Sequence, residues 1–147
     1  MIPFYNHKEV FVHSLDQGPL AGLRHKTVID YRTGAHSLAL WQEEHLQGFE
    51  VPLHHHDCEE IITILSGSIE AVIETKGFEL VKEQSILIPA WKNHGFKVIG
   101  DSSVKLLALF SNSNPKIFRA DGTPSTPPWE GGSANHLDFN NQDRVAL

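Results

Sequence analysis

The sequence predicts an all-β protein, a sandwich or barrel of short antiparallel strands. Three observations carry this. Apolar and β-branched runs of strand length recur along the chain. Clusters of glycine, proline, asparagine and aspartate separate them at positions suited to turns. No segment sustains a helical apolar period with capping signals. About ten strands in this arrangement point to two packed sheets or a closed barrel.

Taken in order, residues 1–9 are expected to form an arm. Val10 to Leu15 reads as a short strand closed by the turn Asp16-Gln17-Gly18-Pro19. Leu23 to Asp30 reads as a second strand, with a turn at Thr33-Gly34. Ala35 to Gln42 alternates, because successive strand side chains point to opposite faces: His36, Leu38, Leu40 and Gln42 on one, Ser37, Ala39 and Trp41 on the other. Glu43 to Gly48 is expected as a polar connection, its Glu43, Glu44 and His45 solvated or at a cavity mouth.

After Gly67 the strands shorten. Ser68 to Thr75 and Phe78 to Lys82 are expected to form a hairpin about Lys76-Gly77. Ser85 to Pro89 is a strand that its proline ends. His94 to Ile99 alternates again, and Val104 to Phe110 is the last strong apolar strand. From Ser111 the composition changes, and residues 121–147 read as an extended, Pro/Gly-rich tail behind a barrel of residues 1–120. Ile117, Phe118, Trp129, Leu137 and Phe139 would staple this end to the barrel or to a second subunit; a loose terminus stands equally open.

The stretch from Gly48 to Gly67 carries the chemistry. In Leu53-His54-His55-His56 the strand alternation puts His54 and His56 on one face and His55 on the other. Glu60 follows after a short bend and opens the buried run Ile61-Ile62-Thr63-Ile64-Leu65, so it can turn back to the same cavity. Two imidazoles and a carboxylate suit a divalent transition metal, and a fourth ligand should come from elsewhere. His94 shares its face with Phe96 and Val98 and should look inward. Alone it would read as a satisfied core histidine; beside a His/His/Glu set it reads as the fourth ligand. Cys58, inside the bend, reads as a small filler with nothing beside it to activate the thiol.

Composition narrows the function classes. The 147 residues suffice for one domain with a full core. The single cysteine rules out an intrachain disulfide. No apolar run has the length of a membrane span, and the N-terminal residues lack signal-peptide character, so a cytoplasmic protein is expected. A formal charge of -6 with scattered Lys and Arg argues against a nucleic-acid partner.

The spacing Gly48, His54, His56, Glu60, Gly67 resembles the first motif of the cupin superfamily at every fixed position, and Pro89 and His94 match the second. Glu83 and Trp91 stand where that second motif has glycines, and Val98 where it has asparagine. The resemblance covers residues 35–111 and implies a double-sheet jelly roll. It implies that His54, His56, Glu60 and His94 hold one divalent metal (Fe, Ni, Mn or Zn), with open positions for a substrate and Glu60 as the catalytic group. It also implies a homodimer, with Val10 to Leu15 as the natural strand to exchange. The function expected is a metal-dependent, dioxygenase-like enzyme acting on a small chelating organic molecule. The alternatives are a non-catalytic ligand-binding or sensor module, or a sugar isomerase in which Arg24, Lys26 and Arg32 converge on the pocket.

Overall fold

The alternating runs form strands whose apolar sides face one another across two sheets. The computed structural model describes residues 3–18 and 20–130. One sheet is ordered β1 (His13–Leu15), β2 (Leu23–Ile29), β3 (Ala39–His45), β10 (Val104–Phe110), β5 (Glu60–Ser66) and β8 (Ser85–Ile88). The other is ordered β12 (Pro124–Ser125), β11 (Ile117–Arg119), β4 (Glu50–His56), β9 (His94–Ile99), β6 (Ser68–Ile73) and β7 (Lys76–Val81). All pairings are antiparallel. The helical content of the described residues is one 3-10 turn, Tyr31–Thr33, and no helix is long and apolar enough to cross a membrane.

The period of two decides what is buried. β10 turns Val104, Leu106, Ala108 and Phe110 inward, β5 turns Glu60, Ile62 and Ile64, and β6 turns Ile69 and Ala71. These side chains form the core between the sheets, each buried Leu, Ile or Phe contributing about 1.5–3 kcal/mol.

Two passages of chain between the sheets place the site. Asp57 to Glu59 leads from β4 in one sheet to β5 in the other, and Pro89 to Asn93 leads from β8 back to β9. Because β8 pairs with β5 and β9 with β4, the crossings run side by side. The Trp91 amide donates to the His56 carbonyl at 2.8 Å and ties them.

Three local expectations change. β3 starts at Ala39 and continues through Glu43, Glu44 and His45, so these residues are strand, not a polar connection. Glu43 and His45 are buried. Their polarity hid a strand whose inward face is polar. The β6–β7 turn is Glu74-Thr75, with Ile73 facing Lys76, and Lys76-Gly77 already belongs to β7. Beyond Ser111 the chain adds β11 on the edge of β4, and β12 beside it. Trp129 is buried, stacked on His25 with ring centroids 3.8 Å apart. Leu137 and Phe139 lie outside the described residues.

Candidate metal centre

β4 is the strand that has to aim two histidines. It carries an extra residue: Val51 faces Phe96 and His54 faces His94, so Pro52 and Leu53 together stand opposite Gly95. This bulge accommodates a proline in a strand of the sheet interior. It also resets the alternation, so that Val51, His54 and His56 are all buried while Pro52 and Leu53 are exposed. Gly95 makes the close approach possible, since a Cβ there would lie 2.5 Å from the Val51 carbonyl oxygen.

His54, His56, Glu60 and His94 come together between the sheets, all buried, with one ligand atom from each lying within 4.8 Å of the others. Each imidazole is held from behind. His54 Nδ1–H donates to the Pro52 carbonyl, His56 Nδ1–H to Lys116 and His94 Nδ1–H to Lys92, each at 2.8 Å. A carbonyl can only accept, so the proton sits on Nδ1 and Nε2 is left to the cavity, the arrangement a metal-ligating histidine needs. His94 Nε2 lies 2.8 Å and His56 Nε2 3.4 Å from Glu60 Oε2. Even so, Glu60 Oε2 and His94 Nε2 lack an aligned hydrogen-bond partner. Buried groups left this way are costly unless something else satisfies them. Three nitrogens and an oxygen converging on one point fit a divalent transition-metal ion.

Two of the three rings favour the neutral form that a metal ion needs. Burial holds His54 well below the ordinary imidazole range, helped by the neighbouring His94 and His56, and burial also lowers His56. Burial pushes His94 the same way, but the Glu60 carboxylate outweighs it and His94 is raised. A metal ion would displace that proton. Burial and the adjacent Asp57 push the Cys58 thiol up to about 12, so it is a buried filler and not a thiolate.

The cavity at the ligands is small, about 30 Å³, walled by Ile62, Phe96, Leu106 and Ala108, with Trp41 and Glu43 beside them. A larger cavity of about 380 Å³ shares Trp41 with it and is lined by Thr27, Tyr31, Arg32, Asn114, Lys116 and Trp129 among others. Neither Trp91 nor the basic residues expected at the pocket line the metal cavity. Trp91 is 59% exposed and packs outside, near His55 and Phe118. Among the described residues, Arg24, Lys26 and Arg32 do not line the metal cavity: Lys26 donates to the His7 carbonyl and Arg32 pairs with Asp30.

Sequence reasoning missed a second buried polar group. Glu43 Oε1 accepts from His25 Nδ1 at 2.7 Å and its Oε2 from His45 Nε2 at 2.8 Å, with both rings fully buried. Burial alone would push Glu43 up; the bonds from the two histidines overcome this and hold it far below the carboxylate range. The signal lay in the alternation: Ala39 and Trp41 extend by parity to Glu43 and His45.

Two antiparallel sheets closed around three imidazoles and a carboxylate define a jelly roll of the cupin kind with a candidate metal site between its sheets. Residues 42–110 match the family model described as a cupin domain, so the chain carries a cupin domain over that stretch. Auxin-binding protein 1 of Arabidopsis thaliana is 31% identical over 107 residues, 66% of this chain and 54% of that protein. The chain thus spans about half the length of that relative. Among solved structures, the polyketide cyclase RemF from Streptomyces resistomycificus is similar at a TM-score of 0.67, with 22% identity over 78% of this chain and 82% of the other. A sugar phosphate isomerase of the cupin superfamily from Silicibacter pomeroyi is similar at a TM-score of 0.65, with 14% identity over 84% of this chain and 97% of the other. At such identities these likenesses show the fold.

Proposed function

We propose that this protein is a metal-dependent cupin in which His54, His56, Glu60 and His94 hold one divalent transition-metal ion beside a small chelating organic molecule, and that its reaction is a dioxygenase-like oxidation. One observation carries the metal assignment: three imidazoles fixed through Nδ1 to backbone carbonyls turn Nε2 toward one buried carboxylate. Four ligands of this kind leave positions open on an octahedral ion, where bound metal supplies Lewis acidity and a template for oxygen and substrate.

The chain's own residues set the rest. Ile62, Phe96, Leu106 and Ala108 keep the site apolar and exclude water. Glu60, packed against His94 and His56, serves as ligand and as the group that takes a substrate proton. The organic body of the molecule needs more room than the 30 Å³ at the ligands, and the 380 Å³ cavity that shares Trp41 supplies it. For an isomerase of sugars, among the described residues no Lys or Arg lines the metal cavity, while Arg32 and Lys116 line the larger one. Binding without turnover is the second reading. It draws on a relative that is named as a binding protein, together with the tight closure of the site.

Elemental analysis of untagged protein tests the proposal, beside a His54→Ala/His94→Ala variant. About one equivalent of iron, nickel, manganese or zinc is expected, lost in the variant. Oxygen consumption with chelating enols then separates turnover from binding. Metal-free wild-type protein that stays empty after reconstitution would sink the assignment. We also propose a cytoplasmic homodimer, in line with the compact barrels the sequence resembles; the apolar outer face of one sheet supports the pairing.

A further inference from the structure

The metal cavity is faced by two carboxylates, Glu60 and Glu43, and among the described residues by no lysine or arginine. Glu43 is 7% exposed, and its ion-pair partners are imidazoles alone, His25 and His45. Burying a carboxylate is costly unless charge and hydrogen bonds compensate it, and an apolar residue of similar volume would often serve the fold as well. Burial lowers His25, so that ring is a weak source of positive charge. Glu43 and Glu60 therefore bring two formal negative charges to one enclosed space, and one dication at the four ligands would balance both.

We propose that Glu43, clamped between His25 and His45 in the cavity wall, is a positioning residue whose buried negative charge strengthens and selects the binding of a dication at His54, His56, Glu60 and His94. This rests on the metal reading of the site. Glu43 does not ligate; it acts through the space it shares with the four ligands. The clamp fixes the carboxylate in place: each oxygen accepts from a different ring, and Thr27 Oγ1 holds His25 from its far side at 2.9 Å. Glu43 bonds to none of the four ligands, so its effect is that of a charge acting across a low-dielectric space, where Coulomb energies exceed those in water several-fold.

The test is metal affinity by competition with a chromophoric chelator at fixed pH, for wild-type protein, Glu43→Gln and Glu43→Asp. Zn²⁺ and, without oxygen, Cu⁺ are the probes. Glutamine keeps the shape and can hydrogen-bond both histidines after a tautomer change, so it removes charge alone. Glu43→Gln is expected to weaken Zn²⁺ about 10–100-fold and Cu⁺ by about the square root of that factor, since the energy of an ion in a field scales with its charge. Glu43→Asp, which keeps the charge, should bind Zn²⁺ within about threefold of wild type. Equal losses for the two ions would mark a merely structural role and overturn the proposal. So would unchanged Zn²⁺ affinity in Glu43→Gln, or a folded Glu43→Asp that binds Zn²⁺ tenfold or more weakly; this last outcome decides the matter even where the glutamine variant does not fold. Wild-type protein that binds neither ion would instead sink the metal reading itself, and this inference with it.

Discussion

Glu83 and Trp91 stand at φ of 68° and 66°, in the left-handed region that favours glycine. Both sit where the resembled motif has glycine, and both adopt the backbone conformation that glycine favours. A side chain in that conformation costs roughly 1–2 kcal/mol. The Glu83 amide still donates to the Ile64 carbonyl at 2.9 Å and the Trp91 amide to His56 at 2.8 Å. Of the two, Glu83 gives the cleaner test, because Trp91 also packs near Phe118 at 5.4 Å. Glu83→Gly is expected to stabilise the protein by about 0.5–1 kcal/mol, the relief of strain less the entropy glycine costs in the unfolded chain. Urea denaturation would read this as a higher midpoint at unchanged slope; a lower midpoint would show that the turn carries no strain. The four residues that meet between the sheets were legible in the sequence, His54, His56 and Glu60 from alternation and spacing and His94 from its inward parity. The carbonyls of Pro52, Lys92 and Lys116 behind the rings were not, since the Lys116 contact joins residues 60 apart.

At the scale of the element, the bulge in β4 decides whether the site exists. Strict alternation from Val51 would turn His54 outward; the pair Pro52 and Leu53 restores it. The sequence showed that His54 and His56 share a face but not that the strand had to slip to aim them at the core. Pro52 was the available signal. The end of β3 is hidden for a related reason: a strand whose inward face holds Glu43 and His45 lacks the apolar alternation that marks a strand. The bulge depends on Gly95. An alanine there would bring Cβ to 2.5 Å from the Val51 carbonyl oxygen and 3.0 Å from the Pro52 carbonyl carbon, both backbone atoms. Gly95→Ala is therefore expected to push β4 off β9, costing about 1–3 kcal/mol, and to weaken metal binding because His54 and His94 face each other across that pair. Thermal unfolding of metal-free protein and a zinc titration measure the two effects. A variant that loses stability but keeps wild-type metal affinity would separate the bulge from the site.

For the whole molecule, the two-sheet fold was legible from strand number and turn chemistry, while the partition of strands was not, because β3, β10 and β5 are distant in sequence. That partition lays an apolar row across the outer face of one sheet. Leu40 faces Leu109, Leu109 faces Ile61 and Ile61 faces Leu87, across β3, β10, β5 and β8. Ile61, Leu87 and Leu109 are 37%, 55% and 36% exposed. Monomers rarely leave contiguous patches of this kind wet. A second copy laid face to face would cover it, the natural geometry of a twofold contact. The exchange of Val10 to Leu15 is the other route to a dimer; in the structure β1 pairs with β2 of its own chain, beside an exposed Phe11. Leu87→Glu/Leu109→Glu distinguishes the two, since neither residue belongs to the core. Light scattering on wild-type protein should give twice the chain mass of 16.4 kDa, and the variant should fall to that mass while its metal content is unchanged. A variant that remains dimeric would assign the contact to the N-terminal strand. Wild-type protein that is monomeric at micromolar concentration would leave the Leu109 row as solvent-facing surface and end the dimer proposal.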